Sequence, residues 1–88
     1  MKRPVDFRIE IKHFYCLDYF EGDRRMIVDV DFRDPVKYID KRYITHWESP
    51  YDHEMLSSAE KERILNNIYN ELVRRFGLEN IERGEEKE

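Results

Sequence analysis

His53-Glu54-Met55-Leu56-Ser57 opens like the zinc-protease pattern H-E-x-x-H, in which two histidines one helical turn apart hold the metal and the glutamate activates water. Ser57 stands where the second histidine has to be. The stretch also precedes the expected helix, so no i,i+4 face exists to carry a ligand pair. His13, His46 and His53 are the only histidines. With Asp52 they could meet in space around a metal, but a closed site needs four well-placed ligands. Scattered histidines in a charged chain are ordinarily surface residues. No metal and no cofactor are expected.

Other catalytic chemistry fares no better. Cys16, the single cysteine, lies among Phe14, Tyr15 and Leu17, and an apolar setting makes a thiol inert. There is no G-x-S-x-G elbow, phosphate-binding loop or dinucleotide fingerprint. Gly22, Gly77 and Gly84 are the only glycines, too few and too dispersed for a phosphate cradle. Asp29 and Asp31 share one strand face with Arg25 and Arg33 beside them. That arrangement reads as a charge-balanced outer face, because nothing around it suggests the cleft that tunes an acid/base pair. The expectation is a protein that is not an enzyme.

The densest unusual feature is Tyr43-Ile44-Thr45-His46-Trp47-Glu48-Ser49-Pro50-Tyr51-Asp52-His53. Large aromatics give wide contact area at low entropy cost and are enriched at interface hot spots. Tyr43, His46, Trp47, Pro50, Tyr51 and His53 are therefore the candidate partner-binding residues. The competing reading has Trp47 cover the end of the core while Pro50 shapes the loop. Arg24-Arg25 and Lys41-Arg42, near these aromatics, raise a nucleic-acid-binding β-sheet as the alternative function. Against it, Glu21, Asp23, Asp40 and Glu48 interleave with the basic doublets. The chain carries 16 basic and 20 acidic residues, a net charge of −4. From Gly77 onward there are five acidic and two basic residues, so the remainder is near neutral and lacks the positive field nucleic acid requires.

The elements that must position these residues follow from periodicity. Val5, Phe7, Ile9 and Ile11 alternate with charged residues as in a half-buried strand. Phe14-Tyr15-Cys16-Leu17 breaks the alternation, through either a bulge near His13 or a strand buried on both faces. Glu21-Gly22-Asp23 makes a turn. Met26, Val28, Val30 and Phe32 then face inward from a second strand, with Ile27 the exception. Arg33-Asp34-Pro35 turns the chain into a third strand, Val36 to Ile39, and Asp40-Lys41 could lead to a fourth, Tyr43 to Trp47. After the Glu48–Leu56 loop, Ser57 and Glu60 form a capping box. An amphipathic helix runs to Phe76, with Gly77 as its stop. Leu78 and Ile81 could add a short edge strand. The fold class is α+β: a three- to four-stranded antiparallel meander followed by one C-terminal amphipathic helix. Its expected core is Phe7, Ile9, Ile11, Val28, Val30, Leu65, Ile68, Leu72 and Phe76.

Strands followed by Trp47-Glu48-Ser49-Pro50-Tyr51 and a Ser57-capped helix resemble the small bacterial immunity proteins of polymorphic toxin systems. The resemblance runs from about Tyr38 to Phe76, and its core is a W-x-x-P pattern. It implies a cytoplasmic antitoxin that binds and blocks a partner toxin, and it supplies no catalytic residues. The residues independently favour a non-enzymatic protein-binding module. Residues 1–83 are expected to form one domain and residues 84–88 a disordered charged tail. No apolar run approaches transmembrane length, and the N-terminus has no hydrophobic signal region, so a cytoplasmic location is expected. The apolar arc of the helix is wide. It predicts a homodimer, or a partner groove at the helix and a sheet edge, unless Glu48–Leu56 and Leu78–Ile81 fold over the excess.

Overall fold

Alternating apolar residues give strands only where a second surface covers one face, and here the helix provides it. A computed structural model describes residues 6–84. Strand β1 spans Phe7–Glu10, β2 Cys16–Glu21 and β3 Arg24–Asp29. They form an antiparallel sheet in the order β1-β2-β3. Phe7 lies opposite Glu21, and Glu21 opposite Arg24. Gly22 turns the β2–β3 hairpin with φ +60, a backbone conformation that costs a residue with a Cβ.

The helix α1, Ser58–Phe76, lays Ile64, Leu65, Ile68 and Leu72 on this sheet. They meet Ile9, Leu17, Tyr19, Met26, Val28 and Val30 in one core. Each aliphatic side chain fully withdrawn from water contributes about 1.5–3 kcal/mol. The helix starts as its sequence predicts. Ser57 Oγ accepts from Glu60 N, and Glu60 Oε1 accepts from Ser57 N. Gly77 ends it with φ +95.

The rest of the sheet differs from the expected meander. β4, Lys37–Ile39, does not continue the antiparallel sheet but pairs in parallel with β5, Ile81–Arg83. The expected fourth strand at Tyr43–Trp47 does not form. Asp40 instead caps a 3₁₀ turn over Lys41–Tyr43, its side chain accepting from Arg42 N. Ile44 and Trp47 then drop into the core three residues apart. The strand buried on both faces begins only at Cys16, with Leu17, Asp18 and Tyr19 buried in succession, and the break after Ile11 is not a bulge. It is the connection between two strands, and Phe14 and Tyr15 are exposed there. Phe7 also leaves the expected core at 37% exposure. It sits on an edge strand, where only one side of its ring, stacked on Tyr19, is covered. Ile11 and Phe76 are half-buried at the core margin.

Of the two helix margins that suggested a second copy, the margin of Ile64 and Ile68 is buried, whereas Tyr69 and Val73 on the other are half-buried. Ile64 is fully buried. Trp47 is part of the same core, Tyr51 and Leu56 pack against it, and β5 packs against the helix. Gly84, the first residue of the expected tail, donates its N–H to Ile39 O. Val5, where the first strand was expected to begin, and residues 85–88 lie outside the described residues.

Candidate protein-binding surface

β3 separates the residues of the aromatic segment. Tyr43 sits at its Asp29 end, edge-on to Tyr38 with ring centroids 6.2 Å apart. Tyr51 sits at the other end, where its hydroxyl donates to Asp23 in the β2–β3 turn. The six residues of β3 span about 20 Å, so the segment does not form a single patch.

Trp47 is 3% exposed and stacks on Tyr19, with centroids 6.3 Å apart. It is a core residue, and its indole cannot offer the contact surface expected of it. The bond from Glu48 N to Arg25 O, 2.7 Å, fixes the backbone beside it. His46, Pro50 and His53 are exposed, whereas Tyr43 and Tyr51 are half-buried. Arg24 braces the far end. Its guanidinium lies 4.2 Å from the Tyr51 ring centroid and makes two 2.9 Å bonds to Glu54. The bond from Tyr51 lowers the Asp23 carboxyl below its ordinary range, and the Arg24 bond does the same for Glu54.

The sequence reading missed the exposed surface that the fold itself does not use. Phe14 is 67% exposed and Tyr15 57%. Their backbone is nevertheless fixed, because Tyr15 O accepts from Val30 N at 3.0 Å and Phe14 O from Phe32 N at 2.7 Å. The Tyr15 ring is held as well. Arg33 lies 4.4 Å over it and is itself gripped by Asp31 through two side-chain bonds. The two rings form a ridge. On one side is a groove of about 420 Å³ lined by Ile11, Phe32 and Phe76. On the other is a cleft of about 360 Å³ where Asp29 and Asp34 face Val36, Tyr38 and Tyr43. The available signal was the interruption of alternation at His13-Phe14-Tyr15.

The groups considered for chemistry are mostly engaged elsewhere. Asp31 is committed to Arg33, which lowers its carboxyl below the ordinary range. Burial pushes the Cys16 thiol up, away from the reactive thiolate. Among the described residues no three His, Cys, Asp or Glu side chains converge on a metal position. The basic doublets do not form a free field. Arg24 is paired with Glu54, Arg42 with Asp40 and Arg25 with Asp18. No helix among the described residues is long and apolar enough to cross a membrane.

Residues 18–78 match the family model described as Immunity protein 74. The chain belongs to the immunity protein 74 family. No curated protein and no solved structure matches it. The matched part of this immunity protein includes β2 from Asp18 onward, β3, β4 and all of α1, and with them the Tyr43–His53 segment, Asp29 and Asp34. Phe14 and Tyr15 lie just outside it. Membership in an immunity family implies neutralisation of a toxin.

Proposed function

We propose that this immunity protein neutralises its toxin by binding it as a folded domain, without catalysis. Family membership over residues 18–78 carries the reading. The surface supports it, because exposed aromatic rings on a hydrogen-bonded backbone lose little entropy when a partner covers them. The exposed and half-buried members of the aromatic segment, Tyr43, His46, Pro50, Tyr51 and His53, belong to the proposed contact surface. Trp47 supports them from within the core.

The test is to mix the purified chain with the toxin domain encoded beside its gene. The two should co-elute in a stoichiometric complex, and toxin activity should disappear only while the complex persists. The complex is then separated in denaturant and the toxin refolded alone. Full recovery of toxin activity with unchanged mass supports binding. A lasting loss of activity with a changed toxin mass would show a catalytic antitoxin and overturn the proposal.

A further inference from the structure

Met55 and Leu78 are also exposed, but the Phe14–Tyr15 ridge sets two adjacent exposed aromatic rings beside hollows, which folding does not explain. A phenylalanine at 67% exposure and a tyrosine at 57% contribute little to the core. Their backbone and the Tyr15 ring are nonetheless held in place. Exposed apolar side chains on a rigid support mark interaction sites. The two hollows beside the ridge differ in character. The groove towards Phe76 is lined by Ile11, Phe32 and Phe76 with Lys12 and His13 at its polar side, and its apolar part suits an aliphatic or aromatic side chain. The cleft across Tyr15 is acidic. Arg33 is paired with Asp31 and Arg25 with Asp18; Asp29 and Asp34 make no direct ion pair among the described residues, although the Arg33 charge is felt at Asp34. Arg33 already covers the Tyr15 ring, but Tyr38 and Tyr43 also line the cleft beside the carboxylates, so it suits a cation, which carboxylates and aromatic rings both attract.

We propose that this ridge is the principal docking point for the toxin, and that it takes a toxin segment in which an aliphatic or aromatic side chain neighbours a lysine or arginine. The proposal rests on the binding function above and names the surface and the partner chemistry. The apolar side chain would fill the groove and the basic one would reach the Asp29–Asp34 cleft on the side of Tyr38 and Tyr43, away from the Arg33 guanidinium that covers Tyr15. Tyr43, from the aromatic segment, lines that same cleft and joins the site.

The experiment measures binding of the full chain to an inactive variant of the toxin domain encoded beside its gene. Phe14→Ser/Tyr15→Ser should weaken binding by about 100-fold, as loss of paired central anchors does. Asp29→Asn/Asp34→Asn removes only exposed carboxylates and leaves the packing intact. It should weaken binding about tenfold, mostly through slower association with a shallower salt dependence. Asn70→Ala on the outer face of the helix should change nothing. Circular dichroism and melting of each variant check folding. If the wild type binds and both double variants bind equally well, the docking point lies elsewhere and this inference fails, while the binding function stands. If the wild type does not bind the toxin, both fail. If the chain alone sediments as a dimer that Phe14→Ser/Tyr15→Ser dissociates, the ridge serves a second copy and the inference is overturned.

Discussion

Arg63 of the helix reaches Glu21 at the end of β2, its guanidinium nitrogen 2.7 Å from the carboxylate oxygen. The same carboxylate accepts from the fully buried Tyr19 hydroxyl, which in turn accepts from Asn67. This chain of bonds fixes how the helix lies across the sheet. Glu21 is only 9% exposed, so removing its cation leaves a poorly solvated charge. Arg63 itself is 38% exposed, and solvent screening moderates the loss. Arg63→Ala is expected to cost about 1–2 kcal/mol in urea unfolding. No change in the unfolding midpoint would show that the network holds nothing together.

Ser57 closes the first turn of the helix through the reciprocal bonds with Glu60. Ser57→Ala should cost about 1 kcal/mol. It should also speed amide exchange in the first helical turn while leaving β2 unaffected. Equal protection at the helix start in both proteins would count against the cap.

The helix was legible because its signals are local: a capping residue, a matching glutamate three positions on, an apolar stripe and a glycine stop. β3 was legible through its alternation. The pairing of β4 with β5 was not, since parallel partners far apart in sequence leave no local trace. Thr45 and its large or β-branched neighbours Tyr43, Ile44 and Trp47 suggested a strand, yet Asp40 capping Arg42 N decided for a turn. The ridge was misread for a related reason. Phe14 and Tyr15 followed the rule that apolar residues go inside, and only tertiary structure shows that Leu17 and Tyr19 already fill that part of the core.

Acid should weaken the protein through Asp40. The Arg42 guanidinium, then the Arg42 backbone N–H and the Tyr38 hydroxyl, hold its carboxyl well below the ordinary carboxylate range. Arg74 and Arg75 likewise hold Glu71 down at about 2. A carboxylate with a depressed folded value stabilises the fold above its unfolded value, about 4. That stability is lost as pH falls through the folded value. The urea midpoint should therefore drop between about pH 5 and about pH 2. Asp40→Asn should make the drop shallower, and an unchanged slope would remove Asp40 from the account.

Trp47, the only tryptophan, should report its burial directly. Its emission should be blue-shifted in the folded protein and move to the red on unfolding, and acrylamide should quench it poorly before unfolding. Trp47→Ala removes a ring that covers one end of a thin core and is expected to cost about 3–5 kcal/mol. Trp47→Phe, which keeps an aromatic beside Tyr19, should cost less. Emission already at the red limit in the native protein would contradict the packing.

The parallel pairing of β4 with β5 has a consequence for a chain made from its N-terminus onward. β1, β2 and β3 can pair as each leaves the ribosome, because each finds its partner in the preceding or following segment. β4 emerges early and then waits, its partner arriving only after the whole helix has been synthesised. Val36 and Tyr38, which border the acidic cleft, are not anchored until then. The surface assembled around them thus becomes complete only when synthesis has passed Arg83, and a nascent chain stopped within the helix would lack both β5 and part of the apolar face that covers the sheet.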